Sequence, residues 1–419
     1  MKMKYKIKNE CLSLSYTEQP IKFRQCNYFR PTCDCRTVGI PTPPSEILLP
    51  HLHPPRVYFQ QHYTNPKKHE MSAQGNFELL ALENPLLDIQ AFGDEKLLQK
   101  YDLKANDAIL AEEKHLGIFD DLIQNHKAVL IAGGAAQNTA RGAQYILPPN
   151  STVYIGCVGR DKYGAQLEEI CKKAGVKTEY RYDDETPTGR CGVVITGENR
   201  SLCTDLAAAN NYKIEHLKQP EIWKQVENAK VYYVGGFHLT VCVPAMLAIG
   251  EEAAAKDKTF ILNLSAPFIP QFFKDQLDQV LPYVDILIAN ETEAAAYAES
   301  HGISSKDVKE IAKSIVSLPK KNSKRARTVV FTQGTEPTVT VTANGSDVDV
   351  KEYQVHAINK EKITDTNGAG DAFAGGFVAG IVQGKPLDTA VDMGQWLAKL
   401  SIQELGPSYP ASKQTYTQS

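Results

Sequence analysis

The chain has 419 residues, of which 42% are hydrophobic and 23% charged, an ordinary composition for a globular protein. Its length exceeds the ~250–300 residues at which one hydrophobic core usually stops growing, so we expect one large domain with a smaller appendage. The formal net charge of −3 offers no basic field for nucleic acid or an anionic membrane, and no apolar run approaches the ~20 residues of a membrane-spanning helix.

Residues 1–70 differ in composition from the rest of the chain. They hold nine of the 23 prolines and four of the ten histidines, and no helical or strand periodicity persists there. We therefore expect either a disordered extension or an over-long gene model whose true start is Met71. The nine cysteines are odd in number and irregularly spaced, which favours free thiols in a reducing cytoplasm; residence in the nucleus as well is left open.

Beyond residue 77, short apolar runs alternate with amphipathic helical stretches. This alternation predicts a doubly wound α/β fold, in which helices flank a mostly parallel sheet. The predicted strands of that sheet cover residues 77–83, 128–133, 152–158, 231–235, 259–264, 285–289 and 328–332.

Two segments interrupt the alternation. Residues 189–196 and 201–208 flank the turn-forming residues 197–200 and predict a hairpin. Residues 86–110 lack the pattern of a simple crossover. We expect a small β-rich lid, formed mainly from residues 86–110 and 186–212, that closes over the substrate.

Residues 365–371 read DTNGAGD and directly precede a helical pattern. The backbone amides of Gly368, Ala369 and Gly370 are expected at the positive end of that helix, where they would attract phosphate. Asp371, in the first turn, has two possible roles. It could complement the helix dipole, or it could accept a proton from an attacking hydroxyl while the amides hold a phosphoryl group.

This segment resembles the D-T-x-G-A-G-D signature of the ribokinase-like (PfkB) carbohydrate and nucleoside kinases, which favours the catalytic role for Asp371. The resemblance extends over residues 77–410 and implies a ribokinase-like kinase domain at 71–415, with ATP as co-substrate, Mg²⁺ as cofactor and a monomeric state. The chain lacks the G-x-x-x-x-G-K-[ST] and H-R-D motifs, which disfavours P-loop and protein kinases.

Further blocks resemble the adenosine kinases of this family. The sequence NPLLDI at 84–89 resembles a block whose aspartate, here Asp88, binds the ribose 2′- and 3′-hydroxyls; Glu83 stands where the family usually has glycine. The sequence AGGAAQN at 132–138 resembles the G-G-x-x-x-N block that surrounds the sugar. Without the resemblance, Asp88 and Asn138 could equally belong to ordinary turns.

The base and nucleotide sites are implied by the same resemblance. Either Phe237 or His238 could stack on adenine, and we favour His238, with Phe268 closing the pocket. The implied substrate-binding residues are Asp88, Gly133, Gly134, Asn138, Leu202, Phe237, His238 and Phe268. The implied ATP-binding residues are Arg200, Asn290, Thr332, Gln333, Gly334 and Asn367. Glu293 would hold Mg²⁺ through water, although a helix-capping role is also open.

We therefore expect an adenosine kinase that uses MgATP to phosphorylate the 5′-hydroxyl of adenosine in purine salvage. Two alternatives stay open at this point. One is another sugar or nucleoside kinase of the same family, and the other is a nucleotide-binding regulatory protein without catalysis.

Overall fold

In the computed structural model of the chain, residues 77–105, 107–197, 199–345 and 347–418 are described. The predicted extension over residues 1–70 lies outside them. The strands are β1 (Leu79–Leu82), β2 (Leu86–Phe92), β3 (Ala108–Leu110), β4 (Val129–Gly133), β5 (Thr152–Gly159), β6 (Lys177–Asp183), β7 (Arg190–Thr196), β8 (Asn199–Asp205), β9 (Val231–Gly235), β10 (Thr259–Asn263), β11 (Ile286–Asn290), β12 (Thr328–Gln333), β13 (Glu336–Asn344) and β14 (Asp347–Tyr353).

The helices pack on both faces of the larger of two sheets and on one face of the smaller. They are α1 (Glu95–Lys100), α2 (Ile118–Asn125), α3 (Ala135–Ile146), α4 (Lys162–Lys173), α5 (Ile214–Leu217), α6 (Pro220–Asn228), α7 (Val243–Lys256), α8 (Phe268–Phe272), α9 (Lys274–Val280), α10 (Glu291–Ser300), α11 (Val308–Val316), α12 (Ala369–Val382) and α13 (Leu387–Ser401). No helix among the described residues is both long and apolar enough to cross a membrane.

The large sheet has nine strands in the order β14-β13-β12-β11-β10-β9-β1-β5-β6. Its neighbours from β12 through to β6 pair in parallel, and β13 and β14 extend it antiparallel. Successive residues of β1 enter opposite cores: Leu80 and Leu82 pack with residues of α7, and Leu79 and Ala81 with residues of α3 and α12. Helices thus cover both faces, and the predicted doubly wound fold is confirmed.

The small sheet has five strands in the order β3-β8-β7-β2-β4. Helices α1 and α2 pack on one of its faces, against Ile89 and Ala91, while Asp88 and Gln90 alternate onto the other. The predicted lid segments supply β2, β3, β7 and β8, and β7 and β8 pair as the predicted hairpin.

One strand assignment is wrong. We expected residues 128–133 in the large sheet, but this segment forms β4, which pairs antiparallel with β2 in the small sheet. Its burial shows the difference, because Val129 is 48% exposed, whereas the central strand β1 is buried throughout. The pattern of apolar residues predicts that a segment forms a strand and how buried its faces are. It does not predict which sheet the strand joins.

Candidate active site

The predicted site residues converge at the carboxyl ends of the parallel strands, where open α/β sheets bind ligands. Glu83 and Asn84 follow β1 and lead directly into β2 of the small sheet. Residues 236–240 follow β9 as a short 3₁₀ turn, and α10 begins directly after β11. The site therefore lies where the two sheets meet.

Asp371 lies in the first turn of α12, which begins after Gly368. The Asn138 side chain donates a hydrogen bond from Nδ2 to Oδ2 of Asp371 at 2.9 Å. Burial raises the pKa of Asp371 to about 7, although the hydrogen bond from Asn138 and the nearby charge of Arg141 act to lower it. A carboxyl group with this pKa exchanges its proton near neutral pH, as a general base must.

Arg141 fixes the orientation of the Asn138 amide. Its Nη2 donates to Oδ1 of Asn138 at 2.8 Å and also to the carbonyl oxygens of Ala132 and Pro407. Because a guanidinium only donates, Asn138 must turn its oxygen toward Arg141 and its amide nitrogen toward Asp371. We did not single out Arg141 from the sequence. Its spacing of three residues from Asn138 on α3, which puts both side chains on one helix face, was the available signal.

The glycine-rich turn leaves backbone amides free at the start of α12. The Ala369 amide donates to the Thr366 carbonyl at 3.2 Å, so it differs from our expectation of three free amides. Within the described part of the chain, the amides of Gly368 and Gly370 have no such partner. Gly368 has φ +78° and ψ 5°, and a Cβ there would lie 2.6 Å from Cβ of Pro407, so the turn requires glycine at this position.

Asp88 is 6% exposed on β2, and none of the described residues donates a hydrogen bond to its carboxylate. Burial and the negative charge of Asp371 raise the pKa of Asp88 to about 7, while Arg141 acts to lower it. A Cβ at Gly133 would lie 2.0 Å from Oδ1 of Asp88, so this glycine provides the space for the carboxylate. A buried carboxylate with unused acceptor oxygens is suited to a ligand that brings its own donors.

Gly134 shapes the neighbouring backbone. It has φ +88°, and a Cβ there would lie 2.5 Å from the Asn84 carbonyl oxygen. The two adjacent glycines thus serve different purposes. Gly133 leaves space for the Asp88 side chain, and Gly134 allows the start of α3 to approach the segment between the two sheets.

The aromatic residues correct our preference for the base-stacking position. The rings of Phe237 and Phe268 are half-buried and lie with their centroids 5.9 Å apart. His238 is 0% exposed; its Nδ1 lies 3.3 Å from Oδ1 of Asn84, and its ring meets Tyr212 edge-on. A fully enclosed ring cannot offer its face to a base, so Phe237 is the candidate for stacking.

Asn290 and Thr332 are paired neighbours at the ends of β11 and β12. The Asn290 side chain caps α10 by accepting from the Glu293 amide, and the Glu293 carboxylate accepts in turn from the backbone and side-chain nitrogens of Asn290. Glu293 is therefore a capping residue, and burial raises its pKa to about 7. Gln333 donates to the Pro337 carbonyl, and Gly334 forms the tight turn into β13 with φ +60°.

Arg200 contacts a different group from the one we expected. Its Nε donates to Oδ1 of Asp365 at 3.0 Å, and its Nη1 donates to the Asn199 carbonyl. Asp365 also accepts from Gln90 and from the amides of Asn367 and Gly406. Arg200 and Gln90 thus join the small sheet to the loop before α12, whereas we had expected Arg200 to reach toward phosphates. Leu202 lies half-buried on β8, two residues further along.

Comparisons with known proteins agree with this geometry. Residues 95–414 match the pfkB family carbohydrate kinases. The chain is 50% identical to the adenosine kinase of Schizosaccharomyces pombe over 81% of this chain and 98% of the relative. It is 47% identical to adenosine kinase 1 of Arabidopsis thaliana over 79% and 96% of the two chains. A solved structure, Anopheles gambiae adenosine kinase in complex with P1,P4-di(adenosine-5) tetraphosphate, matches with a TM-score of 0.77 and 45% identity over 80% of this chain and 98% of that one.

The chain belongs to the pfkB carbohydrate kinase family and groups with its adenosine kinases. The family resemblance inferred from residues 365–371 is thereby confirmed. The described residues include no group of three or more His, Cys, Asp or Glu that could hold a metal ion.

The glycine turn of this pfkB kinase gives the first testable prediction. In Gly368→Ala, a side chain must adopt a left-handed backbone conformation and its methyl group clashes with Pro407. We expect the free amides to shift as a result and turnover to fall at least ~10-fold. Gly384→Ala is the matched control, because Gly384 has φ +66° with open space around it. Steady-state kinetics and thermal melting of both variants measure the difference. Wild-type turnover in Gly368→Ala would show that the turn does not position the reacting groups.

Proposed function

We propose that this chain transfers the γ-phosphoryl group of ATP to the 5′-hydroxyl of adenosine, giving AMP and ADP. The observation that carries the proposal is the Asp371 carboxyl group, held by Asn138 beside the free amides of Gly368 and Gly370. A base and an anion-binding turn at one helix start are what an alcohol and a terminal phosphate need in order to meet.

The ribose would be held between the two sheets. The unused acceptor oxygens of Asp88 suit the vicinal 2′- and 3′-hydroxyls, which both donate. Asn138 has a second amide hydrogen beyond the one given to Asp371, and this hydrogen is assigned to a ribose oxygen. Adenine would lie against Phe237 and Phe268, whose half-buried rings supply an apolar face, with Leu202 on the opposite side.

The ATP phosphates would lie across the carboxyl ends of β11 and β12 toward α12. Asn290, Thr332 and the Gln333-Gly334 turn border this path, and Asn367 precedes the free amides. Glu293 would contact Mg²⁺ through water, because its own oxygens already cap α10. The ion, when bound, neutralises charge on the phosphate oxygens.

Asp371 performs the proton transfer in this scheme. As the 5′-oxygen attacks the γ-phosphorus, its proton passes to the Asp371 carboxylate and the bond from phosphorus to the β-phosphate oxygen breaks. The Gly368 and Gly370 amides and the α12 dipole stabilise charge on the transferring oxygens. No covalent enzyme intermediate is required.

A substrate panel monitored by ADP release tests this function. Adenosine, guanosine, inosine, ribose and fructose are compared as acceptors, and adenosine should exceed the others in kcat/KM by orders of magnitude. A higher value for a free sugar or another nucleoside would assign the chain to a different kinase of the family. No ADP release with any acceptor would indicate a nucleotide-binding regulatory protein.

Asp371→Asn should leave adenosine affinity within about threefold of wild type, while turnover falls by roughly 10²–10⁴-fold. The amide keeps the size of the side chain but cannot accept the proton. Isothermal titration and steady-state assays measure the two quantities separately. Turnover equal to wild type would remove Asp371 from its assigned role.

The pH dependence of kcat/KM for adenosine should show a limb near pH 7, because this ratio reports the groups of the free enzyme. The raised pKa of Asp371 means that the carboxylate takes up a proton as the pH falls through about 7, so kcat/KM should drop about tenfold per pH unit below that point. Asn138→Ala removes a hydrogen bond that favours the charged form, so its limb should move to higher pH. If the acidic limb of the Asn138→Ala profile stays at the wild-type pH, Asn138 does not act on the group that titrates.

Asp88→Ala should mainly raise the KM for adenosine, by about 10-fold or more, with a smaller change in kcat. The variant should also discriminate less between adenosine and 2′-deoxyadenosine, because the group that reads the 2′-hydroxyl is gone. Kinetics with both nucleosides measure this. If Asp88→Ala prefers adenosine over 2′-deoxyadenosine as strongly as the wild type does, Asp88 does not bind the ribose 2′-hydroxyl.

We further propose that the protein acts as a cytoplasmic monomer in purine salvage. The free, buried thiols of the five described cysteines fit a reducing compartment. Light scattering of the full chain tests the monomer, and a stable dimer would contradict it.

A further inference from the structure

Glu83 is a buried carboxyl group that the proposed chemistry does not use. It follows β1 in the middle of the large sheet, is 1% exposed, and lies at the point where the chain leaves for the small sheet. A glutamate so completely enclosed is rare unless its oxygens have partners.

The two oxygens of Glu83 accept from the starts of two different helical segments. The Ala136 amide, in the first turn of α3, donates to Oε2 at 2.8 Å, and the Phe237 amide, at the start of the 3₁₀ turn, donates to Oε1 at 3.3 Å. Amides at helix starts have no partner within their own helix, so one side chain supplies acceptors for both. The segments that it joins carry Asn138 and Phe237, which face opposite ends of the proposed nucleoside.

Asn84 adds to the contacts that Glu83 makes with these two segments. Its Nδ2 lies 3.5 Å from the Phe237 carbonyl oxygen, so consecutive residues approach both backbone groups of Phe237. The Asn84 carbonyl oxygen lies against Gly134, which directly precedes α3. The short connection between the sheets therefore contacts both the start of α3, proposed to bind ribose, and the Phe237 segment, proposed to bind the base.

Gly235 leaves the space that the Glu83 side chain occupies. A Cβ at Gly235 would lie 1.7 Å from Oε1 and 2.2 Å from Cδ of Glu83, and the third of its three nearest atoms is also from Glu83. The two positions share one volume, so a large side chain at 83 requires none at 235.

Burial, together with the charge of Asp371, raises the pKa of Glu83 to about 8, although the two amides and the Ser265 side chain act to lower it. The direction of this shift agrees with a carboxyl group that is enclosed by the segments it joins rather than exposed to water.

We propose that Glu83 is a positioning residue of the adenosine site, whose carboxyl group sets the distance between the ribose-binding start of α3 and the base-stacking Phe237. The proposal rests on the proposed function, because it assigns both segments to one nucleoside. It predicts that the loss of Glu83 weakens adenosine binding and spares ATP, since none of the residues proposed for ATP contacts its carboxyl group.

A double-mutant cycle tests the proposal. We expect Glu83→Ala to raise the KM for adenosine about 5- to 10-fold, with kcat and the KM for ATP within about twofold of wild type. Gly235→Ala alone should raise it at least as much, because its methyl group displaces the carboxyl group. Glu83→Ala/Gly235→Ala should be no worse than Glu83→Ala within about threefold, since the methyl group enters vacated space.

Conservative variants keep the test valid if these proteins fold poorly. Glu83→Gln retains an acceptor for one amide and should raise the KM for adenosine by about threefold. Asp285→Asn is the control for loss of a buried acid elsewhere: Asp285 is also 1% exposed and accepts from the Phe260 amide, pairs in addition with Lys320, and lies at the start of β11 rather than at the carboxyl ends. The control should lower the melting temperature and leave both KM values unchanged.

Three results would overturn the inference. The first is a wild-type KM for adenosine in Glu83→Ala and Glu83→Gln, and the second is an additive double variant. The third is a parallel fall of kcat and of the affinities for both substrates, equal to that in Asp285→Asn at matched stability, which would show that Glu83 only stabilises the fold. Failure of the wild-type protein to phosphorylate adenosine would instead refute the proposed function, so the two failures are distinguishable.

Discussion

The hydrogen bond from Asn138 to Asp371 is the contact on which the arrangement of this protein depends. Asn138 belongs to α3, which follows the edge strand β4 of the small sheet, and Asp371 belongs to α12, which follows the glycine turn. One bond of 2.9 Å thus joins the segment proposed to bind the sugar to the turn proposed to bind phosphate. Arg141 decides which end of the amide faces the carboxylate, and through Pro407 it also reaches the segment that packs on Gly368.

Three acids with little exposure to water form the second feature of the site; Glu83 and Asp88 are buried, and Asp371 is half-buried. Burial raises the pKa of Glu83, Asp88 and Asp371 into the range near or above neutrality. Each burial opposes folding, because an ionised carboxylate loses water that the protein only partly replaces. Two of the three lie against a glycine, Gly133 or Gly235, that leaves room for the carboxyl group. Perturbed groups concentrated at one edge of a sheet are typical of a functional site.

The sequence alone was enough to predict the general fold and the family. Apolar runs alternating with helical patterns indicate a covered parallel sheet, and DTNGAGD resembles the signature of the family that the comparisons confirm. The position of β4 was not predictable in this way, because alternation does not report the partner strand. Local pattern also cannot show that Arg200 pairs with Asp365, since 165 residues separate the two in the chain.

The remaining errors have the same physical origin, because packing decides them. His238 and Phe237 are adjacent and equally able to stack in principle, and only the enclosure of His238 by Tyr212 and Asn84 separates them. Glu83 stood out as a departure from the family's usual glycine, but its purpose becomes visible only with its partners, Ala136 and Phe237, which are 53 and 154 residues away.

A double-mutant cycle on turnover with Asn138→Ala and Asp371→Asn tests the central claim most directly. If the amide acts through the carboxylate, the double variant should turn over within about threefold of Asp371→Asn alone, because nothing is left for Asn138 to position. Losses that multiply in full would show that the two residues work independently and would contradict the account.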